Sequence, residues 1–132
     1  MRKLSLVVFA LIALSACHRD HELTKCDSMI CKPGFAQIVT QVTYAGPTKA
    51  QLDEVYTVNT ETGERLDINQ NLGAGFFVIL DDNYRARMAG QTLNFHLVGK
   101  RDQAIVMEES YTISADCCHV KKESGKDMVI LR

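Results

Sequence analysis

The chain predicts an all-β fold, a single antiparallel β-sandwich of about seven strands, set behind an N-terminal signal peptide. Three observations predict it. From Phe35 onward the chain divides into short segments rich in Val, Ile, Thr, Tyr and Phe with apolar residues at alternate positions, the period of a half-buried strand. Turn-forming residues recur at roughly 8–12-residue spacing, the rhythm of a sandwich or barrel. No stretch of the domain carries a 3.6-residue apolar period long enough for a packed helix.

Phe35–Ala45 (FAQIVTQVTYA) alternates, with Ala36, Ile38, Thr40, Val42 and Tyr44 on one side, until Gly46-Pro47 breaks it. Asp53–Thr60 reads as a second strand, closed by the turn Glu61-Thr62-Gly63-Glu64, and Arg65–Ile68 continues as a short third. Asn69–Gly75 reads as a loop. Phe76–Leu80 (FFVIL) is the most apolar segment and is expected centrally in a sheet, stopped by Asp81-Asp82-Asn83. Leu93–Val98 follows, then a turn over Gly99–Asp102. Gln103–Ser114 is one long strand, or two joined by a bulge near Glu108-Glu109, and Asp127–Arg132 is the last strand, after a turn at Gly125. The expected core draws on Ile38, Val42, Val58, Phe76, Val78, Leu80, Leu93, Phe95, Leu97, Ile105, Tyr111, Ile113 and Ile130.

The domain organisation follows from the N-terminus. Met1-Arg2-Lys3 is a positive start, and Leu4–Leu14 is an apolar run of eleven residues. As a helix that run is about 16 Å long, too short for the roughly 20 residues a membrane span needs, so it reads as a signal h-region. Leu14-Ser15-Ala16-Cys17 follows directly and resembles the lipobox of bacterial lipoproteins. The resemblance implies cleavage before Cys17, a diacylglycerol on its thiol and acylation of the new amine. Residues 1–16 are then signal peptide, 17–30 the lipidated cysteine and a tether that is polar over Cys17–Lys25, and 31–132 the β-sandwich domain. Loss of Arg2 and Lys3 from the 15 basic residues leaves 13 against 16 acidic, a mature net charge of −3. In the lipoprotein family His18 after the acylated residue is compatible with the outer membrane. The expected location is the bacterial cell envelope, lipid-anchored.

Four cysteines remain in the domain: Cys26, Cys31, Cys117 and Cys118. In an oxidising compartment an even set is expected to pair. Of the three connectivities, the one that joins adjacent Cys117 and Cys118 needs a strained ring. The preferred pairing is Cys31–Cys118 with Cys26–Cys117, because Cys31 lies just before the first strand and Cys118 opens a short one. The alternative is a thiol or metal site on Cys117, Cys118 and His119, since thiolate and imidazole suit Zn or Cu(I). Adjacent cysteines in a strand point to opposite faces, which is poor geometry for one ion.

Cys31 followed by Phe35 and an alternating strand, Gly75 with Asp81-Asp82 and Tyr84, and Asp116-Cys117-Cys118-His119-Val120 followed by Ser124-Gly125 resemble small Bacteroidetes-type lipoproteins. That resemblance implies a transthyretin-like or carboxypeptidase-regulatory-like β-sandwich and carries no activity.

Composition excludes more than it selects. At 132 residues the chain is short for a multidomain enzyme. Its 46% hydrophobic content is too high for a disordered tail, and a net charge of −1 leaves no broad footprint for nucleic acid. G-x-S-x-G, H-E-x-x-H, C-x-x-C and P-loop motifs are missing. Asp81-Asp82-Asn83 reads as turn chemistry, Glu108-Glu109 as charges on opposite strand faces, and His96 as facing away from Phe95 and Leu97. The expectation is a non-catalytic binding or accessory module with no cofactor beyond the lipid on Cys17. Its partners are the membrane, through the anchor, and an envelope protein or ligand.

Overall fold

The computed structural model describes residues 26–46, 51–68, 71–88 and 90–132. The expected signal peptide, Cys17 and the expected tether up to Lys25 lie outside them. The described chain is all-β, with nine strands: β1 (Gln37–Tyr44), β2 (Glu54–Asn59), β3 (Arg65–Leu66), β4 (Asn71–Gly73), β5 (Phe76–Asp81), β6 (Thr92–Arg101), β7 (Ala104–Ala115), β8 (Val120–Ser124) and β9 (Met128–Leu131). A 3₁₀ turn, Arg85–Arg87, follows β5.

These strands form two sheets, ordered β4-β5-β1-β9 and β3-β2-β6-β7-β8. Phe77, Ile79 and Val42 from the first meet Phe95, Leu97, Tyr111 and Ile113 from the second in one buried core, a sandwich-like arrangement. As expected, Phe76–Leu80 runs internally in its sheet, between β4 and β1. Among the described strands all pairs are antiparallel except β1 with β9, which run parallel, Gln41 to Tyr44 against Met128 to Leu131. That departs from the all-antiparallel expectation. The chain leaves β8, at the edge of one sheet, and turns at Gly125 into the other, so β9 meets β1 without a hairpin between them.

Two turns differ from the sequence reading. The expected loop Asn69–Gly75 contains β4, which pairs with β5. Its three residues are all exposed, so no alternation betrays a strand. The hairpin closes through Gly73, Ala74 and Gly75, all at positive φ, and Gly75 is pressed against the Val42 carbonyl with no space for a Cβ. The expected turn at Gly99–Asp102 instead belongs largely to β6, which runs on to Arg101. The turn is Asp102-Gln103, both at positive φ (49° and 64°), the geometry of a two-residue hairpin. The Asp53 carboxylate accepts the Asp102 N–H and offsets part of that strain. The β7 bulge falls opposite Gly99/Lys100, at Val106, rather than at Glu108-Glu109.

Four expected core residues lie elsewhere. Val58, Phe76, Ile105 and Ile130 are half-buried or exposed, and Leu93 is only partly buried. In β2 the inward phase belongs to Thr57 and Asn59. Thr57 Oγ1 donates to the Ile79 carbonyl of the facing sheet at 2.7 Å, and Asn59 Oδ1 accepts the Glu61 N–H at 2.9 Å. Polar side chains that satisfy backbone groups thus displace Val58 outward. In β9 the inward position is Val129, which turns Ile130 to solvent.

Candidate functional site

The β7–β8 hairpin is Asp116-Cys117-Cys118-His119, and its first residue folds it. Asp116 Oδ1 accepts the N–H groups of Cys118 and His119 at 2.6 and 2.7 Å. Those donors outweigh burial and hold the Asp116 carboxyl below the usual aspartate range. The adjacent cysteines then diverge from the hairpin tip. Cys117 is bonded to Cys26 and Cys118 to Cys31, with Cα–Cα distances of 5.2 and 5.3 Å. This is the pairing preferred from sequence. It places Cys26, which lies within residues 17–30, under a covalent link to the domain.

Asp82 completes the pole. Burial disfavours its charge, but its Oδ2 accepts the Ala36 N–H and faces His119 Nδ1, both at 2.7 Å, and its Oδ1 accepts the Val120 N–H at 2.9 Å. The net effect holds the Asp82 carboxyl below the usual range. Arg85 Nη1 adds a bond to the Cys118 carbonyl at 2.9 Å. The entry to β1, the corner after β5 and the β7–β8 hairpin are therefore tied at one end of the molecule. Sequence reading placed Asp82 in a turn and missed this role. The spacing of one Asp after a long apolar strand gives no hint of partners 37 and 46 residues away.

With both bridges closed, Cys117 and Cys118 offer no thiolate, and His119 Nδ1 is engaged by Asp82. Among the described residues no group of three or more His, Cys, Asp or Glu side chains is placed to hold a metal ion. The pole is chemically a lock.

The other expected positions separate. Glu108 lies 3.2 Å from His96 on the outer face, while Glu109 takes Lys126 at 2.8 Å. Asp81 Oδ1 caps the Asn83 N–H at 2.9 Å, as turn chemistry requires. Tyr56 lies beneath Arg65 (4.2 Å) and Lys100 (5.3 Å), both paired with Glu54. A cleft of about 610 Å³ opens between β1 and the β4–β5 turn, lined by Tyr44, Leu52, Asn71, Ala74 and Phe77 among others, with no charged side chain among the described residues that line it. Leu52 also packs over Gly99 beside Met107, so the cleft lies toward the β6–β7 hairpin, away from the disulfide pole.

The fold and this pole define a disulfide-clamped two-sheet β domain. Comparison with protein-family models, curated proteins and solved structures finds no match to the chain. Among the described residues no helix is long and apolar enough to cross a membrane.

Proposed function

We infer that this chain is a lipid-anchored lipoprotein of the bacterial cell envelope whose β domain is a non-catalytic binding or accessory module. The observation that carries the reading is Leu14-Ser15-Ala16-Cys17 placed directly after an eleven-residue apolar run. The resemblance to small Bacteroidetes-type lipoproteins points the same way, and His18 is compatible with the outer membrane. Two disulfides support it, because such bonds persist in oxidising compartments such as the periplasm or cell surface. They use four of the five cysteines and leave Cys17 outside both bridges. Two or three acyl chains on Cys17 give stable attachment where one gives marginal binding.

The test is metabolic labelling with a fatty acid. Wild-type protein takes up label and fractionates with membranes, and Cys17→Ser loses both. Labelling unchanged by Cys17→Ser overturns the reading. Partner capture by crosslinking in whole envelopes then identifies what the module binds.

A further inference from the structure

The segment from Cys26 to Phe35 belongs to neither sheet. Its large apolar side chains face solvent: Ile30 is 96% exposed, Phe35 57% and Met29 54%. The segment is nevertheless held in place. Cys26 is bonded to Cys117 and Cys31 to Cys118, so Met29 and Ile30 lie between two bridged residues. Phe35 directly precedes Ala36, whose N–H is fixed on Asp82. Exposed apolar side chains gathered on one surface are a feature of protein and membrane contact sites.

The chain outside the structure says what lies against it. Eight residues lie between Cys17 and Cys26, a contour of at most about 32 Å. If Cys17 is acylated, the disulfide pole is the part of the domain held nearest the bilayer. Lys32, exposed between Ile30 and Phe35, adds an ammonium to the segment, a charge that anionic lipid headgroups attract. Asp27 also lies on the segment, next to Cys26.

We propose that Met29, Ile30 and Phe35 form a second, non-covalent contact with the bilayer that carries the Cys17 lipid, seating the disulfide pole against the headgroup–acyl boundary. The proposal rests on acylation of Cys17. It orients the domain. β7 runs its 12 residues away from the Asp116 hairpin, about 36 Å at strand rise, which turns the Asp102-Gln103 hairpin and the cleft beside β1 toward the aqueous side.

The chain has no Trp, so a single introduced Trp reports its own site. Ile30→Trp places it on the proposed contact, and Ile105→Trp places it at the far end of β7, where Ile105 is 56% exposed. Acylated full-length mature proteins are reconstituted into phosphatidylethanolamine–phosphatidylglycerol vesicles with and without brominated acyl chains. The expected result is a blue-shifted indole emission from the Ile30→Trp protein, quenched by roughly half or more by bromolipid, and an unquenched emission from the Ile105→Trp protein. Replacing Met29, Ile30 and Phe35 together by Ser should leave the melting temperature unchanged and raise transfer between vesicles about tenfold.

An unquenched Ile30→Trp protein, with mass spectrometry of the same sample recording the acyl mass on Cys17, overturns the contact and leaves the anchor standing. A blue shift without bromine quenching assigns the patch to a second copy or another protein and overturns it too. Quenching in both variants removes the orientation. Absence of the acyl mass overturns the anchor itself, and the contact with it.

Discussion

Asp82 receives three hydrogen bonds from groups 37 to 46 residues away, so one carboxylate closes contacts that no local rule provides. Asp82→Ala leaves the Ala36 and Val120 N–H groups without their acceptor and should cost about 2–4 kcal/mol, measured by chemical denaturation. Asp82→Asn should lose most of the same stability, because its amide turns a donor toward a donor. The pH dependence has a definite sign. The carboxyls of Asp82 and Asp116 are both held below their ordinary range in the fold. A depressed folded pKa contributes stability that is full above the unfolded value and is lost as pH falls through the folded one. Unfolding midpoints should therefore drop on acidification below the usual aspartate range, and Asp82→Asn should flatten that slope. A wild-type midpoint that stays level into that range would contradict the assignment. Tyr111 shows a complementary case. Burial raises its phenol's pKa and keeps the hydroxyl a donor, to the Lys126 carbonyl at 3.0 Å. Tyr111→Phe should cost about 1 kcal/mol.

The passage from β8 to β9 depends on that tyrosine. Thr40 Oγ1 and Tyr111 both donate to the Lys126 carbonyl, and Gly125 lies against the Tyr111 ring with no space for a Cβ. Its φ of +127° also favours glycine. Gly125→Ala is expected to destabilise the domain by about 1–3 kcal/mol, with hydrogen exchange speeding first in β9, whose one neighbour among the described strands of its sheet is β1. Alternation in Phe35–Ala45 identified β1 and its inward Ile38, Thr40 and Val42 from sequence. The same rule failed for Val58 and Ile130. Their strands are short, and which of two apolar phases turns inward depends on partners in the opposite sheet, such as the Ile79 carbonyl that takes Thr57. β4 escaped notice because a fully exposed three-residue strand has no pattern to read. Of the pole, the cysteine pairing was legible because adjacency removes one connectivity and the places of Cys31 before β1 and Cys118 before a short strand favour the observed one, whereas Asp82 and Arg85 were not, being brought in by chain segments distant in sequence.

For the molecule as a whole, the two bridges act on the same closure. Each spans about ninety residues, at separations of 91 and 87. By loop entropy the first contributes about 4–5 kcal/mol, while the second, closing only the small ring left between Cys26, Cys31 and the hairpin, contributes about 2–3. Either bridge alone suffices for the long closure. Replacing one Cys pair by Ser should cost about 2–3 kcal/mol, and replacing both should exceed the sum of the two. Denaturation of the three variants checks this, and strict additivity would refute it. In Cys26→Ser the free thiol should map by alkylation to Cys117, where the alternative pairing places it at Cys118.

By itself the sequence determined the all-β class, most strand positions, the division of five cysteines into one and four, and the expectation of an exported, acylated chain. These rest on local quantities: the period of apolar side chains, the length of an apolar run, and the spacing of thiols. Only the tertiary structure decided the two-sheet order, the parallel β1–β9 pair, the polar inward phase of β2 and the carboxylate at the pole. Each is a pairing between residues far apart in sequence. Its energy depends on which donors and acceptors meet once the chain is closed, and no local pattern encodes that meeting.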